Sequence, residues 1–323
     1  MAIGQATGPM RRLRCADDLF LGYELMLSRV RCWRERGWTP ISAADYADAW
    51  RRFGGSVATH PQVVERLAGL AGIPVRYLGW MRDGELQAAI PTWGRHLALA
   101  KDVLKQQGKR GLFDLGNAEI ILPLAEGARV PLRHRARYVS QLNAERLTTL
   151  REQPEGLALA REPEDYSKKF RYNQRREQRL LEDAGGVIRP MLELEPAEQA
   201  AIYAELFLRR WGFEATGKAH LAEVFGLLRE FMTGSLIYLN DAPVAIQVLY
   251  RVESPAWVSV EYINGGVDPQ QREFSPGSVL SFVNTQNAWS EARALGKPLR
   301  YSFGRADREY KERWCHRVPA FQV

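Results

Sequence analysis

Twice along this chain a pair of helix-forming stretches is followed by a strand, a tight turn and another strand, and few folds accommodate that order. The first round begins at Thr39, with helix patterns over Asp45–Phe53 and, after Gly54-Gly55-Ser56, over Pro61–Ala71. Val75–Met81 and Glu85–Thr92 then read as strands around Arg82-Asp83-Gly84, a hairpin signal, and Ala118–Leu124 as a further strand. A helix pattern over Glu164–Ala184, Gly185-Gly186 and a short strand to Met191 open the second round. Helices over Pro196–Arg210 and Lys218–Met232 come next, then strands Ser235–Asn240 and Val244–Val252 around Asp241-Ala242-Pro243. A third strand, Trp257–Ile263, is followed by a helix over Pro276–Leu295 and a strand over Arg300–Phe303. The order predicts an α+β protein of two tandem modules, mixed sheets flanked by helices, over residues 39–160 and 161–323. The two halves share little residue by residue, so element order alone carries the duplication.

The stretch between that third strand and its helix, Asn264–Ser278, is the first place to look for a site. Gly265 and Gly266 allow a left-handed backbone or a close approach, and Asp268-Pro269 signals a turn. Ser275 stands as an N-cap with Pro276 at the first helical position. A polar loop feeding a helix N-terminus offers free N–H groups and the positive end of a dipole.

Composition removes several classes. No apolar run approaches 18 residues, which excludes a membrane-spanning helix on length. Arg11, Arg12 and Arg14 are followed by Asp17, Asp18 and Glu24, unlike a secretory leader. Cys15, Cys32 and Cys315 are odd in number and widely spaced, and the five histidines form no ligand-spaced pair, so neither disulfides nor a metal site are expected. A reduced, cytoplasmic, metal-free protein is the expectation.

The formal charge of +7 favours anionic partners such as nucleic acid, anionic lipid or phosphorylated glycans, and it equally suits plain solubility. Residues 1–38 contain a basic amphipathic helix over Asp17–Arg36, with Leu19, Phe20, Tyr23, Leu27, Val30 and Trp33 on one face. It could pack on a neighbouring domain or rest on the cytoplasmic face of an inner membrane. Lys168, Lys169, Arg171, Arg175, Arg176 and Arg179 fall within twelve residues, and Lys168, Arg171, Arg175 and Arg179 share a helical face. Such a stripe suits a phosphate backbone, an anionic membrane or simply solvent. Arg129, Arg133, Arg135 and Arg137, with His134, make a second, looser cluster.

Helix–helix–hairpin–strand–helix–strand is the order of the GNAT acyltransferase module, which splays two central strands to admit an acyl donor. Three stretches resemble a more specific family: Gly54–Pro61 (GGSVATHP), Asn264–Leu280 (NGGVDP…SPGSVL) and Glu309–Trp314 (EYKERW). Together they are similar to the macrophage-inducible Mig proteins tied to bacterial resistance against cationic antimicrobial peptides. More loosely, the C-terminal half resembles the Fem-type double GNAT transferases, which add amino acids from aminoacyl-tRNA to cell-wall precursors. CoA-dependent GNAT enzymes carry a glycine-rich R/Q-x-x-G-x-G/A cradle. Here Gln271–Ser278 has one glycine and a proline that removes a donor, so the resemblance implies aminoacyl-tRNA ahead of acyl-CoA as donor, with no bound cofactor.

The same resemblance points to Lys311 as the cation that steadies a developing oxyanion, against a surface lysine paired with Glu309 or Glu312. Strand alternation puts Ser259 and Glu261 on one face and Val260 and Tyr262 on the other, and the polar face is expected to line the cleft. There Glu261 would be a general base or, equally, a structural carboxylate holding loop N–H groups. Tyr262, Asn264, Asp268, Ser275, Ser278, Tyr310 and Arg313 are candidates for substrate contact, Asp268 and the serines having simpler readings as caps of their own turns. His60, before Pro61, reads as structural. The resulting expectation is transfer of an amino acid from tRNA to an anionic envelope glycolipid or lipopolysaccharide precursor. Its rivals are a CoA-dependent acyltransferase and a non-catalytic peripheral membrane protein binding lipid or peptide.

Overall fold

The computed structural model describes residues 31–323, and the chain divides into two compact units, Met1–Trp38 and Thr39–Val323. In the first unit, residues 31–34 are helical and Trp33 is exposed; the earlier turns of the helix expected over Asp17–Arg36 lie outside the described residues.

Strand β1 (Trp38–Pro40) precedes helices α1 (Ala43–Phe53) and α2 (Pro61–Ala71) and the hairpin β2 (Arg76–Arg82) and β3 (Glu85–Trp93). Ser42 caps α1 in a reciprocal capping box with Asp45, and Pro61 opens α2 without sacrificing a hydrogen bond. Asp83 and Gly84, both with positive φ, close the hairpin. After it come β4 (His96–Leu97), α3 (Lys101–Gln106), β5 (Val139–Ser140), β6 (Arg151–Glu152) and β7 (Leu157–Ala160). Ala118–Leu124, expected as a strand, is extended chain with only isolated bridges at Ile120 and Leu124. Its polar groups bond side chains instead: Ser56 Oγ, Asn143 Oδ1 and Glu261 Oε1 accept from the N–H groups of Ile121, Leu122 and Glu119. The first module thus has the helix–helix–hairpin half of the repeated order and departs from it after β3.

The second module runs α4 (Lys168–Asp183), β8 (Val187–Pro190), α5 (Pro196–Trp211), α6 (Leu221–Leu227), β9 (Met232–Thr233), β10 (Ser235–Leu239), β11 (Ala242–Glu253) and β12 (Val258–Val267). It continues with α7 (Pro276–Ala294), β13 (Leu299–Arg305), α8 (Glu309–Glu312), β14 (Cys315–Val318) and β15 (Ala320–Gln322). The single helix expected over Lys218–Met232 is α6 flanked by two 3₁₀ turns. The main sheet has the order β14-β7-β13-β12-β11-β10-β8, with β9 also on β11, while β1-β2-β3-β4 and β5-β15-β6 form two smaller sheets. Helices α5 and α6 cover one face of the main sheet and α4 and α7 the other, the layering of a GNAT-like module.

One apolar core joins the modules, packing Trp50, Val57, Leu67 and Phe113 with Tyr203, Phe225 and Tyr250. The Gly54–Pro61 signature sits at this joint: Trp257 Nε1 donates to the Gly55 carbonyl, and Thr59 Oγ1 donates to that of Ile121. His60 lies against the rings of Trp50 and Phe231. Burial, with Arg66 adding to it, lowers its pKa from 6.5 to about 4. The unfolded chain therefore binds a proton the folded one refuses. Stability carried by neutral His60 is complete above pH 6.5 and is lost as pH falls toward 4, about 3 kcal/mol by then. Urea unfolding of the protein and of H60N at pH 7 and pH 4 should show their stability difference shifting by that amount against the histidine protein. A pH-independent difference would refute it.

Candidate active site

Strands β12 and β13 run parallel and paired only from Val258 with Leu299 to Glu261 with Ser302. Beyond that point β12 stays with β11 as far as Val267, whereas β13 keeps only its other neighbour, β7, as far as Arg305. A gap opens between two central strands of one sheet. On the β12 side the register with β11 slips, Val248 opposing Asn264 and Leu249 opposing Tyr262, so that Ile263 is bulged out. The gap is bordered by residues 116–119 of the first module: Gly116 lies against the Ile263 backbone and Asn117 against Gly304.

At the crotch of the gap a polar group is sealed from solvent. Glu119, fully buried, takes two hydrogen bonds from the Arg300 guanidinium, and its own N–H donates to Glu261 Oε1 at 2.9 Å. Glu261 is 1% exposed and is also bonded by Ser302. Burial first, then the neighbouring Glu119 carboxylate, push its pKa well above the usual carboxylate range. Of the two readings of Glu261, cleft base or structural carboxylate holding loop N–H groups, the hydrogen bond from the Glu119 N–H and the enclosure match the second. The alternation argument fails because this polar face meets the first module, not solvent.

Tyr262, on the opposite face, reaches the open end. Its ring stacks on Phe303 at 5.2 Å between centroids and its hydroxyl bonds Arg210, whose Nη1 also donates to the Gly265 carbonyl at 3.1 Å. Tyr310 stands within electrostatic reach of both Tyr262 and Arg210. Next to it on α8, Lys311 donates from Nζ to the Arg305 carbonyl at 2.7 Å and to Asp307 Oδ1 at 3.2 Å. Its side chain is 12% exposed; burial lowers its pKa and Asp307 opposes that. Neither Glu309 nor Glu312 pairs with it. Two of its three ammonium protons are committed to these acceptors.

Sequence reasoning missed Arg210, Asp307, Glu119 and Arg300. The alternation of Arg300 and Ser302 with Leu299, Tyr301 and Phe303 in β13 was a readable sign of a buried polar partner.

The Asn264–Ser278 stretch turns out differently from a ligand loop. Its first part continues β12, and Gly265 and Gly266 serve packing: a Cβ on Gly266 would lie 2.6 Å from Leu206 Cβ and 2.7 Å from the α5 backbone. Gly266→Ala should therefore lower stability by about 2 kcal/mol, because a helix backbone cannot yield as a side chain can. An unchanged denaturation midpoint would show that α5 is not seated there.

Asn264 Oδ1 accepts from the Gly265 N–H. Asp268 caps the 3₁₀ turn Pro269–Phe274 through Gln270 N–H and pairs with Arg209 at 3.0 Å. Ser275 does stand at the N-cap of α7, but in the left-handed region at φ 48° and with no side-chain bond; its carbonyl accepts from Ser278 and Val279. Among the described residues no hydrogen bond or ion pair joins Asp268, Ser275 or Ser278 to Lys311 or Tyr310. Helix α7 is buried on more than one side, its Ser281 and Asn284 tied to Gln247 and Ser235.

On α4, Phe170, Gln174 and Leu181 face inward, and Lys168, Lys169, Arg175, Arg176 and Arg179 are exposed without an ion pair among the described residues. Arg171 leaves the stripe, donating to the Pro163 carbonyl. Arg313 is exposed, and its charge reaches Glu177 on the same helix. No group of three or more His, Cys, Asp or Glu among the described residues could hold a metal ion, and no helix among them is long and apolar enough to cross a membrane.

A family model, Mig-14, matches residues 60–323. No curated protein matches the sequence. Among solved structures FemX is similar with a TM-score of 0.52 and 11% identity, over 88% of this chain and 96% of FemX. The C-terminal domain of a putative lysylphosphatidylglycerol synthetase from Agrobacterium fabrum gives 0.44 and 13% identity, over 87% and 92%. L-PGS from Bacillus licheniformis gives 0.44 and 12%, over 87% and 90%. The FemX likeness shows a common fold; the two weaker ones carry no argument.

Proposed function

The chain belongs to the Mig-14 family, and from that premise we propose that it transfers an amino acid from aminoacyl-tRNA to an anionic envelope glycolipid or lipopolysaccharide core precursor. The observation that carries this reading is the gap between β12 and β13, with the bulge at Ile263, the Tyr262–Arg210 pair beside it, and Tyr310, the neighbour of Lys311, within electrostatic reach of both. An acceptor hydroxyl or amine attacks the ester carbonyl of the donor. Lys311 steadies the oxyanion, and on its collapse the ester C–O bond breaks and the departing 3′-terminal ribose oxygen takes the proton that the acceptor gives up. Glu261, enclosed and bonded to the Glu119 N–H, takes no part in that exchange. In this reading Tyr310, Asn264 and Arg313 contact substrate around the gap.

Two features favour a tRNA-borne donor. The start of α7 spends the N–H groups of Gln270, Gln271, Ser275, Ser278 and Val279 within itself, leaving a poor cradle for a CoA pyrophosphate. Lys168, Lys169, Arg175, Arg176 and Arg179 present unpaired cations along α4, suited to a nucleic-acid backbone. An added aminoacyl group would place an ammonium on an anionic surface and weaken its attraction for cationic peptides, which fits action at the cytoplasmic face of the inner membrane before export.

The test incubates the protein with envelope glycolipid and either a labelled aminoacyl-tRNA pool or acyl-CoA, followed by mass spectrometry. A gain of one amino-acid residue, with tRNA alone as donor, is expected. Transfer from acyl-CoA overturns the donor; if neither donor binds and anionic vesicles recruit the protein, the enzyme reading fails.

A further inference from the structure

A cavity of about 460 Å³ lies outside the gap, walled by the first module together with Gln322 and Val323, and the transfer chemistry does not use it. Its walls are mainly apolar, with Leu97, Leu99, Phe113 and Leu115, and Arg135 and Arg137 line it where the protein meets solvent. Arg135 makes no ion pair among the described residues, and Arg137 meets Glu155 at 3.4 Å and lies 5.4 Å over the Tyr138 ring.

Two observations mark it as more than a packing fault. Leu99 and Tyr138, both on its wall and both buried, hold φ of 64° and 58°, a region bulky side chains avoid. The other non-glycine residues with positive φ are the tips of two hairpins and Ser275. Secondly, Gly116, Asn117 and Ala118 line this cavity, and the first two of them also border the gap between β12 and β13. A molecule held in the cavity is therefore separated from the gap by a single thickness of chain.

We propose that this cavity is the acceptor site and that it takes a phosphate-bearing saccharide unit, its phosphate at Arg135 and Arg137 and its ring against the apolar wall, with a hydroxyl or amine directed past Asn117. The volume suits one or two sugar rings, and a mostly apolar pocket with a few charged groups at one end is the usual form of a site for such a ligand. The assignment rests on the transferase reading only for the word acceptor.

Binding of glucose 1-phosphate, glucose and decanoate, measured by chemical-shift perturbation without any donor, tests it. Saturable binding of glucose 1-phosphate is expected, at least tenfold weaker for glucose and for an R135Q/R137Q variant, and abolished in A98W, which fills the cavity. Melting curves without ligand identify which variants are folded, and either folded variant decides. Unchanged binding in a folded variant, no binding of glucose 1-phosphate, or a preference for decanoate overturns the proposal. Binding without any transfer would remove the transferase reading and keep the site, whereas transfer without binding here would remove the site alone.

Discussion

Replacing Arg300 with methionine should destabilise the protein by about 3–5 kcal/mol and lower its melting temperature by roughly 5–10 °C. Glu119 is fully buried and receives both of its charge-neutralising bonds from Arg300, with a second carboxyl, Glu261, beside it. Removing the guanidinium strands a carboxylate in a dry place, and that desolvation cost, more than the lost attraction, sets the size of the effect. The companion R300M/E119Q should recover most of the loss, since replacing both charges removes the unpaired one. Urea denaturation at pH 7 measures both; a loss under 1 kcal/mol for R300M would mean water reaches the crotch of the gap.

For chemistry the largest effect is expected at Lys311. Lys311→Met should slow aminoacyl transfer by about 10²–10³-fold, the range for one preorganised donor to an oxyanion, with little change in melting temperature. Asp307→Asn is the informative partner. Asp307 raises the lysine pKa against the burial that lowers it, so its loss should let the amine deprotonate at lower pH. The alkaline limb of the rate profile should move down in pH while the acid limb stays. Full transfer by Lys311→Met would dismiss the residue from catalysis, and an unshifted limb in D307N would show that the limb belongs to another group.

How much of this was legible depended on how local the determinants were. The β2–β3 hairpin follows from Asp83-Gly84, α1 and α2 from Ser42 and Pro61, and α7 from Pro276, all signals within a few residues of what they specify. The site was less so. Nothing near Ala118–Leu124 says that the N–H groups of Glu119, Ile121 and Leu122 will be met by side chains from residues 261, 56 and 143. Gly265 and Gly266 were visible as glycines, but whether a ligand or a helix approaches them depends on where α5 lies. Likewise Glu261 and Tyr262 could be assigned to opposite faces, yet which face was open hinged on the first module covering one of them. Lys311 was legible only through the family resemblance, and Arg210 only through the fold.

Strand β15 has a consequence for how the protein is made. It is the central strand of β5-β15-β6, so two strands from the first half of the chain wait for residues 320–322, and β7 likewise lies between β13 and β14. On the ribosome, the first module would emerge with β5, β6 and β7 unpaired, β7 until β13 follows and β5 and β6 until β15 does. Such late, long-range closure slows folding and leaves strand edges open to the wrong neighbours. Ribosome-bound chains truncated before Cys315 should accordingly be far more protease-sensitive around residues 139–160 than the released protein.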